Sequence, residues 1–170
     1  MTGMAIELQH EPTVVEREEQ PYVGITAPIT MDTFDAVADR LPELFAFLGE
    51  RGVVPAAAPF FRYWTIDMER ELVVEAGVPV ATSSEGTGDV QPGVLPAGRY
   101  ATVTHRGHPD VLVDVTAALL DWATANGLEF DMSPSPEGDR WASRLELLLT
   151  NPADVPDMND WVTQLCFKLR

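Results

Sequence analysis

In the stretch Arg140 to Pro152, Arg-Trp-Ala-Ser-Arg-Leu-Glu-Leu-Leu-Leu-Thr-Asn-Pro, one carboxylate, Glu146, is set among four leucines. If the stretch is a strand, its side chains alternate. Leu145, Leu147 and Leu149 then face the core, and Arg144, Glu146 and Leu148 face the other way. An acid on an apolar wall loses hydration, so either its pKa rises or it recruits a cation. A ligand can supply that cation. So can a salt bridge to Arg144, Arg99 or Arg62.

Other side chains offer area or charge around such an acid. Phe61, Tyr63, Trp141 and Trp161 are aromatic strand residues that can form core or wall a cleft in which flat ligands stack, with cation-π attraction of about 0.5–2 kcal/mol. Glu71 and Glu75 add negative potential if their face is the cleft, and otherwise lie on a solvated face. His105 ends a strand and His108 precedes Pro109, so turn and helix-start roles explain both better than a metal site. Cys166 alternates within an apolar strand and reads as inert. There is no nucleophile elbow, phosphate-binding loop or dinucleotide fingerprint. No cofactor and no metal is expected.

Composition narrows the function classes. At 170 residues and 45% hydrophobic content the chain suits one domain with a sizeable core. A net charge of −16 argues against direct nucleic-acid binding, which draws its affinity from Lys and Arg. A single cysteine excludes an internal disulfide and points to a reducing, cytoplasmic setting. Nothing resembles an export signal or an apolar span, so no membrane partner is expected.

The elements that must position these residues follow from periodicity. Residues 1–20 read as an acidic arm with a short strand at Ala5 to Gln9 or Thr13 to Arg17. Tyr22 to Ile29 is strand-like, with Pro28 at an end or edge. Phe34, Ala38, Leu41, Phe45 and Leu48 then form a helical stripe that Pro42 kinks or splits. Pro59 to Ile66 and Glu71 to Val80 are strands around a hairpin connection at Asp67 to Arg70. A linker at 82–96 follows. The order then repeats: strand Arg99 to Arg106, a helix starting at Pro109 with Leu112, Val115, Leu119 and Trp122 as its stripe, and strands Trp141 to Thr150 and Trp161 to Leu169. Two βαββ units, at 21–81 and 97–170, would pack about a pseudo-twofold axis with a groove between them.

Several segments carry a resemblance: Gly-Val-Pro-Val at 77–80, Leu-Pro-Ala-Gly-Arg-Tyr-Ala-Thr-Val-Thr-His-Arg-Gly at 95–107, Leu-Leu-Asp-Trp at 119–122, and Glu-Leu-Leu-Leu-Thr-Asn-Pro through Asp-Trp-Val-Thr at 146–163. From about Pro21 to Arg170 the chain resembles the GyrI-like (gyrase-inhibitor-like) effector-binding domain, a module found alone or fused to AraC-type and MerR-type DNA-binding domains. The resemblance implies an α+β fold of duplicated βαββ units, with an antiparallel sheet, two helices on one side and a ligand cleft on the other. It implies that Glu146, from the family's Glu-x-Tyr-x-Thr-Asp-Pro pattern, meets cationic aromatic ligands. Leu148 replaces the tyrosine of that pattern, and Tyr63 matches the tyrosine that ends the second strand of the first unit.

The leading expectation is a stand-alone effector-binding, sensing or sequestering protein for an apolar, cationic ligand, lined by Glu146, Tyr63, Phe61, Trp141, Trp161 and Leu148. Too few residues precede Tyr22 for a helix-turn-helix domain, so any regulatory output would pass through a protein partner. A second reading is a small hydrolase of reactive or strained electrophiles with Glu146 as general base and Tyr63 or Tyr100 as hydroxyl donor. A third is an acidic protein-interaction module.

Overall fold

The computed structural model describes residues 8–170. The alternative strand at Ala5 to Gln9 falls mostly outside them. Strand β1 (Thr13–Arg17) leads into β2 (Gln20–Ile29), then into helices α1 (Asp35–Ala38) and α2 (Leu41–Glu50). The split falls where Pro42 requires it. Proline lacks the N–H needed in a helix interior but fits the first turn, so α2 begins just before it. The interruption also resets the helical phase. Leu44, Phe47 and Leu48 are buried, whereas Phe45, expected in the stripe, is 41% exposed.

Strands β3 (Phe60–Ile66) and β4 (Leu72–Pro79) form the expected hairpin. Their register shifts between Tyr63 and Thr65. This bulge turns Ile66 onto the face of Phe61 and Tyr63, opposite to its place in a regular strand. Within the segment read as linker, β5 (Gln91–Leu95) pairs with β2. Next come β6 (Gly98–Arg106) and a short turn of helix at Pro109–Val111, where the His108 side chain accepts from the Asp110 N–H at 3.1 Å. Helix α3 (Leu112–Ala125) follows, and then β7 (Met132–Ser135), β8 (Gly138–Trp141), β9 (Arg144–Leu148) and β10 (Val162–Lys168). Periodicity does not reveal the β7/β8 hairpin, because Pro134, Pro136 and Gly138 read as loop residues.

The strands form one antiparallel sheet in the order β1-β6-β10-β9-β3-β4-β2-β5. β5 and β6 stand near opposite ends of this order, yet only Pro96 and Ala97 join them; Glu18 and Glu19 join β1 to β2 in the same way. Such short connections force the sheet to curl until its edges approach. On one face the core is Ile25, Val74 and Ala76 under α2, and Ala101, Val103 and Leu165 under α3. Tyr22, Phe60, Leu95, Tyr100, Leu145 and Leu147 fill the other face. A ligand cleft was expected on the side without helices; Glu146 instead shares its face with Phe61, Leu165, α2 and α3.

Candidate functional site

Backbone register places Glu146 in a row across the sheet: Val103, Leu165, Glu146, Phe61, Ala76, Ile25. Every other member is apolar. Tyr63, on the adjacent strand, donates its hydroxyl to Glu146 Oε1 at 2.9 Å. Burial pushes the Glu146 carboxyl above its ordinary range, against the opposing pull of the Tyr63 bond and the Arg144 charge. Burial, with the Glu146 charge behind it, pushes the Tyr63 phenol far up, so that it acts as a donor.

These two side chains open on a cavity of about 400 Å³, within the usual range for small-molecule sites. Met31 and Phe34 wall it ahead of α1, and Leu112 and Val113 wall it from the start of α3. Phe34 stacks on Tyr63 with ring centroids 6.2 Å apart and meets Phe61 edge-on at 4.9 Å. Arg144 enters the same cavity two residues before Glu146. Its guanidinium carbon lies 4.6 Å from the Phe167 ring centroid, 4.7 Å from that of Trp141 and 5.7 Å from that of Tyr63. Burial pulls its pKa down, opposed by the nearby Tyr63, Glu146 and Asp139.

The six side chains singled out from the sequence therefore separate. Glu146 and Tyr63 meet in the cavity. Phe61 lies beneath it as buried core, touching Phe34. Trp141 is core as well, packed against Phe130 and Phe167. Leu148 and Trp161 line a different, larger groove of about 810 Å³ beside Phe45, and the Trp161 indole N–H is bound to the Val155 carbonyl at 2.7 Å. Sequence reasoning treated Arg144 only as a salt-bridge partner and Phe34 only as helix core. The place of Arg144 was readable from its two-residue offset; that of Phe34 depended on where α1 begins.

Glu75 belongs elsewhere. On the helix-free face it accepts from the Tyr22 hydroxyl and, at 3.0 Å, from the Trp64 indole N–H, while Tyr22 accepts from Arg62 at 3.0 Å. Arg62 also donates to the Val94 carbonyl at 3.0 Å, tying β5 over that face. Neither Arg62 nor Glu75 shares the face of Glu146. The Tyr100 hydroxyl, bound to the Pro96 carbonyl at 2.7 Å, lies on the face away from Glu146 and is not a donor to it. His105 is buried in β6, and burial lowers its pKa. Among the described residues no helix is long and apolar enough to cross a membrane.

Solved structures share this fold. The C-terminal domain of EcmrR shares the fold at 18% identity and a TM-score of 0.79, over 96% of this chain and 99% of that one. The EcmrR chain in a cryo-EM structure of its DNA complex matches at 19% identity and a TM-score of 0.76 over 94% of this chain, which spans only 57% of that longer one. SAV2435, whose structure was determined bound to tetraphenylphosphonium, matches at 9% identity and a TM-score of 0.59 over 95% of this chain and 94% of that one. At these identities the likeness is one of fold. No curated protein sequence matches the chain. The family model of the GyrI-like small molecule binding domain matches residues 10–138, more than half of the sequence, and the chain belongs to that family.

Proposed function

We propose that the cavity at Glu146 binds an apolar, cationic aromatic small molecule, with Glu146 as its counter-charge, and that the protein senses or sequesters that molecule. The observation that carries this reading is a single carboxylate in an otherwise apolar row, which has one hydroxyl donor and opens on a cavity sized for a ligand. Among the described residues it makes no ion pair, so an entering cation would supply what burial denies it. The bound tetraphenylphosphonium of SAV2435 supports the same ligand class. Titration with tetraphenylphosphonium by calorimetry tests the assignment. Wild type should bind, and Glu146→Gln should lose affinity by about tenfold or more, as expected for removal of a buried charge partner. Equal affinity for both proteins removes the counter-ion.

The strand order supports reading the domain as two copies of one βαββ unit. From the seam between β9 and β3 it runs outward as β9-β10-β6 on one side and β3-β4-β2 on the other. Tyr63 and Glu146 face each other across that seam. The single cysteine supports a cytoplasmic setting.

The pairing of Tyr63 with Glu146 at 2.9 Å favours one second reading, a hydrolase in which Glu146 is general base and Tyr63 polarises the electrophile. Turnover of reactive esters or strained electrophiles that is lost in Glu146→Gln would select it over binding alone.

A further inference from the structure

Arg144 lies on the same face as Glu146 and two residues before it, which puts the two Cα atoms about 6.5 Å apart. Both side chains line the one cavity. Neither forms an ion pair among the described residues, although each feels the charge of the other. Three aromatic rings hold the Arg144 guanidinium, with its carbon 4.6–5.7 Å from their centroids. Aromatic rings steady a guanidinium but are poor acceptors for its five N–H donors. None of those donors meets an oxygen among the described residues. A purely cationic guest would enter beside this fixed positive charge, a like-charge placement that weakens binding.

The stacking also restricts the group. Trp141 and Phe167 are core residues packed against each other at 5.6 Å, so they cannot swing away with the arginine. The side chain is therefore held ready for an oxyanion, and a planar guanidinium binds a carboxylate best in the two-pronged mode. Glu146 sits two residues along the same strand, with its Tyr63 donor on the neighbouring strand β3.

We infer that the ligand is amphoteric: an apolar aromatic body with a cationic centre that meets Glu146 and a carboxylate that meets Arg144. This deepens the proposed function and rests on it. Arg144 is the specificity residue that separates such a molecule from a simple lipophilic cation.

Three probes that share a triphenylphosphonium centre test this: tetraphenylphosphonium, carboxypropyl-triphenylphosphonium, and the methyl ester of the latter. Each is titrated into wild type, Arg144→Met and Glu146→Gln by calorimetry near pH 8. Methionine retains an apolar stem for the Trp141 and Phe167 rings; Arg144→Gln stands in if that variant does not fold. Wild type should bind the acid about 10- to 100-fold more tightly than the ester, the range for one charge-assisted pair. Arg144→Met should bring the acid down to the ester and hold or strengthen tetraphenylphosphonium binding. Acid and ester binding equally to wild type, or an acid preference that survives loss of Arg144, overturns the inference and leaves the Glu146 reading standing. If none of the three probes binds wild type, the reading of the cleft falls and this inference falls with it.

Discussion

The Tyr63→Phe substitution isolates the one side-chain hydrogen bond that Glu146 makes among the described residues. It removes a hydroxyl and leaves the ring on Phe34, so packing is held constant. A hydrogen bond to a carboxylate contributes about 1.5–3 kcal/mol, and one to a neutral acceptor about 0.5–1.5 kcal/mol. The loss should therefore depend on whether Glu146 is ionised. Burial is the largest influence on Glu146 and raises its folded-state pKa above the unfolded value. The stability it contributes is thus fully present below its ordinary value and is lost as pH rises through the raised one. Removing the Tyr63 hydroxyl withdraws an influence that opposes burial. The folded-state pKa climbs further, and the loss on the alkaline side deepens. In a chain of this length about 1 kcal/mol moves the melting temperature by roughly 2–4 °C, so Tyr63→Phe should lower it by roughly 3–12 °C at pH 8 and by clearly less near pH 5. The assay is thermal and urea denaturation across that range for wild type, Tyr63→Phe, Glu146→Gln and the double variant. In the Glu146→Gln background the cost should shrink to about 0.5–1.5 kcal/mol and lose its pH dependence. A cost that does not vary with pH, or that is equal in both backgrounds, refutes the coupling.

Four further outcomes can be measured. Tetraphenylphosphonium affinity should rise from pH 5 to pH 8 in wild type, because the cation selects ionised Glu146, and should stay flat in Glu146→Gln; a flat wild-type profile places the probe elsewhere. Trp161→Ala alters the larger groove and should leave that affinity within about twofold, so a larger loss by calorimetry would move the site beside Leu148. Tyr22→Phe strips Glu75 and Arg62 of a shared partner and should cost about 1.5–3 kcal/mol by urea denaturation without changing the affinity; a weakened affinity would mean that the two faces are coupled. A Cβ at Gly77 would overlap the buried Phe60 ring, so Gly77→Ala should cost about 1–3 kcal/mol. An unchanged melting temperature would show that the ring moves aside freely.

Much of this protein was legible in its residues because the information was local. Pro42 forces the break between α1 and α2, and the alternation in Arg144–Leu148 separates Glu146 from Leu145 and Leu147. His108 caps the turn that leads into α3 with its own side chain. Net charge and a single cysteine narrow the functional classes with no fold in hand. What the tertiary structure decided is which face each alternating set looks toward. Both faces of β9 contribute leucines to packed core, Leu148 on one and Leu145 and Leu147 on the other, so alternation alone could not tell the helix side from the side that β5 covers. The bulge at Trp64 turned Ile66 over, and the curl of the sheet closed Tyr22, Arg62 and Glu75 into a network of their own. Pairing across the seam brought Tyr63 to Glu146 from 83 residues away, while Trp141 went to the core and Trp161 to another groove. Strand periodicity reports which side chains share a face. Only long-range register, set by the packing of the whole sheet, determines their neighbours.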